Sequence, residues 1–236
     1  NNLTGLFRIA GIESPVAPRK LGQLKLTGKA NGAADKIKLQ STLELAGAKI
    51  ELAGQMADLR TTPLLDLDLR ASHPESVKLV QLFGAEIGAT VRGLGRIDLA
   101  AKAKGRLDGL ELVTRLSAID AELTFTGKVT QLMAQPGLTG AIEARHPDFV
   151  GLVRTFNSNY RPAKPMTGPI RFLSQISVSD TTVRLDQFEI QVGATSFNGK
   201  ADIGLTGPKP TVTAKITADN IDLNAIFPIG EIRGKP

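Results

Sequence analysis

The sequence predicts an all-β fold, and three observations predict it. Apolar and polar residues alternate through most of the 236 residues, short turns containing Gly, Pro or Asn interrupt the alternation, and the whole pattern recurs about every 73 residues. The clearest copy spans 194–228. In its first strand Phe197, Gly199, Ala201, Ile203 and Leu205 alternate with Asn198, Lys200, Asp202 and Gly204; in the return strand Val212, Ala214, Ile216 and Ala218 alternate with Thr213, Lys215 and Thr217. Between them Gly207, Pro208 and Pro210 mark a reversal, since Pro cannot donate to a ladder and Gly tolerates positive φ.

Residues 1–20 hold a short apolar stretch followed by SPVAPRK and read as a linker or the end of a preceding unit. A first repeat, 21–92, offers four strands marked by Leu24 and Leu26; by Ile37, Leu39, Leu43 and Leu45; by Ile50, Leu52, Gly54 and Met56; and by Leu65, Leu67 and Leu69, with NGAAD, AGA and RTTP as separators. The strand period then gives way. Pro74 suits the first position of a helix, and Val77, Val80 and Phe83 recur at helical spacing, so a short helix is expected there.

A second repeat, 93–168, carries Ile97, Leu99, Ala101 and Ala103; Leu110, Leu112 and Leu116; Leu123, Phe125, Gly127 and Val129; and Leu138, Gly140, Ile142 and Ala144. It closes on a helical face of Phe149, Val150, Val153 and Phe156. His73-Pro74-Glu75 falls on His146-Pro147-Asp148, Gly54 on Gly127 and Pro63 on Pro136, each at a separation of 73. The third repeat, 169–236, holds Ile170, Phe172, Ile176 and Val178, then Val183, Leu185, Phe188, Ile190 and Val192. Its apolar phase slips between Leu185 and Phe188, which predicts a β-bulge at Asp186-Gln187. Residues 220–227 close it with a third helical turn. The repeats are expected to form one continuous structural domain, a quasi-linear array and a segment of a longer protein.

Composition narrows the function. The absence of Cys removes disulfides and thiolate metal sites. Nine Phe, one Tyr and no Trp leave mainly Leu, Ile, Val and Ala to line whatever is buried, an aliphatic contact surface without stacking platforms. The net charge of +6 is spread singly along strands, at Lys25, Lys29, Lys38, Lys102, Lys104, Lys128, Lys200 and Lys215, without interleaved aromatics. That spread reads as a solvated sheet face, with weak attraction to acidic lipid as the alternative, and it argues against nucleic acid. No run approaches the ~20 apolar residues of a membrane-spanning helix, so any anchor is expected outside this segment.

No catalytic constellation is present. His73 with Glu75 and His146 with Asp148 invite a metal reading, yet they occupy one repeat position in two separate copies, where a structural helix start accounts for them. Asp66 and Asp68 share the polar face of LLDLDLR with no nucleophile or His beside them. Ser174, Ser177 and Ser179 lack a Gly-X-Ser-X-Gly elbow, and GLGR at 93–96 lacks the rest of a phosphate loop. Neither an enzyme nor a cofactor is expected.

The third repeat, a strand with internal Asn198-Gly199, then Leu205-Thr206-Gly207-Pro208-Lys209-Pro210 and a return strand into ADNIDLNAIFP, resembles the AsmA-like family of bacterial envelope proteins, more distantly the TamB-like repeating β-groove proteins. The likeness covers 93–228, and 21–84 more loosely. It implies a periplasmic protein tethered to the inner membrane by an N-terminal helix outside this segment. Its antiparallel sheet would curl into an elongated β-taco or half-barrel groove, with a few short helices, that carries phospholipid between inner and outer membranes.

Physics reaches part of the same expectation. A sheet with one apolar face must cover it with another layer, with itself or with a ligand, and three short helices are too few to roof about a dozen strands. Alternation alone leaves a closed sandwich and an open groove both standing; the resemblance favours the groove. The expected lining positions are Leu43, Leu45, Leu52, Leu67, Leu99, Leu112, Leu123, Phe125, Ile142, Phe172, Ile190, Phe197, Ile203 and Ile216, meeting phospholipid acyl chains. The rival is a closed β-sandwich array acting as a scaffold or interaction module in outer-membrane assembly. A carbohydrate-active β-solenoid enzyme is disfavoured by the want of aromatics and paired acids.

Overall fold

The computed structural model describes residues 24–33, 35–75, 95–132, 135–161, 167–206 and 210–218. Within them the chain is all-β, with twelve strands that follow chain order as neighbours in an antiparallel sheet. The first four are β1 (Leu24–Ala33), β2 (Lys36–Leu45), β3 (Ala48–Ala57) and β4 (Leu64–His73). The next four are β5 (Ile97–Arg106), β6 (Gly109–Ala118), β7 (Ala121–Thr130) and β8 (Gly137–His146). After helix α1 (Phe149–Phe156) come β9 (Ile170–Val178), β10 (Thr182–Val192), β11 (Thr195–Gly204) and β12 (Thr211–Ala218). The chain divides into two compact units, residues 1–106 with 116–119 and residues 107–115 with 120–236.

In the first unit the period-2 pattern dictates the register. Leu43, Ile50, Ala71 and Leu99 are successive cross-strand partners, as are Ser41, Leu52, Leu69 and Ala101, and Leu39, Gly54, Leu67 and Ala103. One face is therefore predominantly aliphatic, with Ser41 as the polar member of these rows. A one-residue slip would turn every one of these side chains to the face that carries Lys25, Glu44, Lys49 and Arg70. In the second unit Leu123, Ala144, Phe172, Ile190 and Phe197 form one such row, and Val129, Leu138, Val178, Val183, Ile203 and Val212 another.

Glycine shapes this face. A Cβ on Gly127 would overlap the Thr139 carbonyl oxygen on β8; one on Gly199 would overlap that of Lys215, and one on Gly54 that of Asp66. The neighbouring backbone thus rises on the side where a side chain would stand, a close approach that Gly alone permits. The rings of Phe125 and Phe188 use the space: the Phe125 ring lies against Gly127 and Gly140, and the Phe188 ring against Gly199.

Turn chemistry repeats as the side chains do. The two-residue turns Ala46-Gly47 and Ile119-Asp120 both have positive φ at both positions, 53° and 86°, and 48° and 60°, which matches the twist of the flanking strands. Asp58 and Gln131, at φ 54° and 52°, donate their N–H groups to Asp35 and Asp108 carbonyls respectively. The bulge falls where the phase slip puts it. Pairing shifts between Leu185 and Phe188, Gln187 takes φ 50°, and the buried Ser174 hydroxyl donates to the Asp186 carbonyl at 3.3 Å and to that of Gln175 at 2.8 Å.

Some expectations differ in detail. Asn31 to Ala33 belong to β1, so the first separator is shorter than NGAAD. Pro147 precedes the N-cap residue Asp148 of α1 instead of occupying the first helical position, and Pro74 follows β4 in a bend. The helices expected near 74–83 and 220–227, and residues 207–209 of the Gly-Pro-Lys-Pro turn, lie outside the described residues.

The glycine geometry sets a sharp contrast. Gly127→Ala is expected to destabilise the chain by about 3 kcal/mol because the ladder itself must shift, whereas Gly109→Ala, with nothing within 4 Å of its Cβ position, is expected to stay within about 0.5 kcal/mol. Urea unfolding midpoints of the two variants against the parent decide this; equal shifts would contradict the close-approach account.

Candidate functional site

The aliphatic face is the candidate site, and its distinguishing property is how little of it is covered. Among the described residues the buried apolar side chains are Leu110, Phe125, Val150, Tyr160, Phe188, Val192 and Ala201, every one of them in the second unit. In the first unit the only buried residue described is His73, 2% exposed. Leu43, Leu45, Leu52, Leu67 and Leu99 are half-buried, as are their aliphatic partners on β3, β4 and β5, whereas Leu26 on β1, opposite Leu43, is 54% exposed. No described helix or second layer of strands belongs to that unit, so an interdigitated sandwich core is not what its described strands build.

Within each unit, register places thirteen of the fourteen expected lining residues on that unit's apolar face, and Leu112 falls on the buried side of β6 by the alternation of burial along it. Phe125 is buried, Leu123, Ile142, Phe172, Ile190, Phe197 and Ile203 are half-buried, and Ile216 on β12 is 57% exposed. The expectation of a mainly aliphatic lining without stacking platforms needs correction in the second unit, where Phe188 joins the expected Phe125, Phe172 and Phe197. There Phe125, Phe172, Phe188 and Phe197 all come from that unit's apolar face, with the Phe172 and Phe188 rings tilted by 31° at 6.4 Å between centroids. The first unit has no Phe on its strands. Composition counted the rings without showing that four of the nine gather on one face.

The histidines resolve as structural. The ring Nδ1 of His73 accepts the N–H of Glu75 at 3.0 Å, and its Nε2 lies 3.0 Å from the Ala46 carbonyl, which can only accept, so Nε2 carries the proton. Both nitrogens are thereby used, tying the end of β4 to the β2–β3 turn. His146 Nδ1 accepts the N–H of Asp148 at 3.0 Å, turning the chain into α1. Among the described residues there is no group of three or more His, Asp or Glu side chains placed to hold a metal. Asp66 and Asp68 face the polar side, where Asp68 meets Lys102 at 3.1 Å.

The opposite face is a solvated lattice of ion pairs. Arg184 meets Asp202 at 2.7 Å, Arg115 meets Glu122 at 2.9 Å, and Arg171 meets Glu143 at 2.7 Å, with Arg145 on the same Glu143 carboxylate. A surface recess of about 570 Å³ on this side is bordered by Glu122, Arg145 and Arg171. Its guanidinium groups are already engaged by carboxylates, so it has no free cation aimed into it. Comparison of the chain with protein-family models, with curated proteins and with solved structures finds no match.

The double engagement of Glu143 has a pH consequence. Hydrogen bonds from Arg171 and then Arg145 hold its carboxyl below the ordinary glutamate value. A depressed folded-state pKa adds stability above the unfolded value and loses it as pH falls through the folded one. Glu143→Gln is therefore expected to narrow the drop in melting temperature between pH 7 and pH 3. An unchanged drop would show that the two arginines do not favour the ionised form.

Proposed function

We propose that this chain is a non-enzymatic lipid-holding segment, related to the AsmA-like envelope proteins, whose apolar sheet face shields phospholipid acyl chains on their way between inner and outer membranes. The observation that carries the reading is the apolar sheet face of the first unit, whose side chains stay half-exposed beneath no described covering layer. Such a face costs free energy in water, and each methylene of an acyl chain laid on it contributes about 0.8 kcal/mol. Rows of similar Leu, Ile and Val side chains present no deep minimum along their length, so a chain slides without chemistry in this segment. Head groups stay in water beyond the sheet edge. On this reading the chain works in the periplasm, held to the inner membrane by a part of the protein outside 1–236.

A second reading rests on the buried group of the second unit. Phe125, Phe188, Val192 and Ala201 pack as a core does, which suits a scaffold or interaction module in envelope assembly. The two separate by experiment. Native mass spectrometry of the gently extracted protein is expected to find bound phospholipid that falls at least tenfold in Leu52→Asp and Ile203→Asp, while Thr126→Asp on the polar face retains it. Circular dichroism checks that the variants keep their strands, and Leu52→Asn serves where Asp unfolds the chain. A folded parent protein without lipid sinks the groove reading.

A further inference from the structure

On the apolar face of the second unit two rings lie down over small residues. A Cβ on Gly127 would stand 2.6 Å from Phe125 Cζ, and one on Gly140 2.9 Å from Phe125 Cε2, so the Phe125 ring covers this cross-strand glycine pair. A Cβ on Gly199 would stand 2.7 Å from Phe188 Cζ, and Ala201, two residues further along β11, is buried. Only 7% of Phe125 and 5% of Phe188 stays exposed. Ile142, the partner of Phe125, and Ile176, the partner of Gly140, border the ground that the Phe125 ring covers.

The same repeat positions of the first unit carry no ring. Leu52 stands 73 residues before Phe125, Gly54 before Gly127 and Leu67 before Gly140, and Gly54 pairs with Leu67 as Gly127 pairs with Gly140. Leu52 and Leu67 are half-buried, and the three atoms nearest to a Cβ on Gly54 are backbone atoms of Asp66 and Leu67. A ring laid flat removes from water an apolar area that a leucine at its place leaves accessible. An acyl chain is stabilised only by apolar area still exposed when it arrives; area under a resident side chain adds nothing. The two units therefore differ in what they leave for a ligand.

We propose that Phe125 and Phe188 are resident plugs, filling in the second unit the space that an acyl chain takes in the first, so that acyl-chain contact concentrates on β2–β5. The inference rests on the lipid-holding reading and adds to it the residues that decide which strands the lipid meets. Shortening a plug opens the second unit. In Phe125→Leu the smaller side chain leaves Gly127 and Gly140 uncovered between Ile142 and Ile176. An apolar hollow of that kind holds water poorly and takes an apolar ligand readily.

The test uses the whole chain and a phosphatidylethanolamine that carries a diazirine near the end of one acyl chain, photolysed in place and mapped by peptide mass spectrometry. In the parent protein, label in the β2–β5 peptides is expected to exceed that in the β7–β11 peptides roughly tenfold, the effect of contact with about two more methylenes. Phe125→Leu is expected to raise label around Ile142 and Ile176, and Phe188→Leu around Gly199 and Ala201, toward the level of β2–β5. Phe156→Leu, a change to a ring on α1 that is 56% exposed, is expected to alter neither. Circular dichroism checks the strands, and where a ring variant loses them the distribution in the parent decides. Equal label in the two units of the parent, or folded ring variants that gain none, overturns the proposal and leaves the lipid reading standing. A parent protein that takes label nowhere removes both.

Discussion

The closest constraint on this molecule is a backbone one: at Gly54, Gly127 and Gly199 a carbonyl oxygen of the adjacent strand occupies the side on which any other residue would carry its Cβ. The adjacent backbone can rise there only because nothing stands in its way. Since the positions belong to the apolar face, each glycine lets the sheet bend toward that face locally. A sheet that bends toward its apolar side lowers the water contact of its own side chains without a second layer.

Much of this was legible in the residues. The strands follow from alternation, the bulge at Asp186-Gln187 from a single slip of phase, and the apolar face from the register that alternation demands. What remained hidden depends on three-dimensional proximity. Gly54 and Gly127 were visible as equivalent, but a sequence does not show which carbonyl they face. The positive φ of Ile119 runs against the habit of a β-branched residue, and only its equivalence to Ala46, in a turn that contains Gly47, hints at it. The His-Pro motif announced a boundary, yet Pro147 stands two residues before the first helical residue, Phe149, with the N-cap Asp148 between them. The ring bonds to Ala46 and to the N–H groups of Glu75 and Asp148 explain why histidine stands there: one side chain closes a turn and ends a strand.

The two units spend the same pattern differently. In the first, aliphatic rows stay half-exposed and ion pairs such as Lys102–Asp68 dress the opposite face. In the second, the Phe125 and Phe188 rings lie down on glycines, and Ser174 fills the bulge with a hydroxyl satisfied by two carbonyls. Large rings laid flat bury area without projecting from the sheet. Alternation cannot distinguish these outcomes, because Leu and Phe are equally apolar in a binary pattern; the difference arises from which residue has a glycine for a neighbour.

Repetition also explains why no single lining residue should dominate. A row such as Leu43, Ile50, Ala71 and Leu99 presents nearly interchangeable methyl groups, so contact energy is spread over area, in proportion to the surface removed from water. Specific recognition needs the symmetry of the repeat to be broken. Charge breaks it where Ala141 stands 73 residues after Asp68, and size breaks it where Phe125 stands 73 residues after Leu52. In a chain of near-copies these departures, more than the shared pattern, are where selection between ligands or partners has a physical handle.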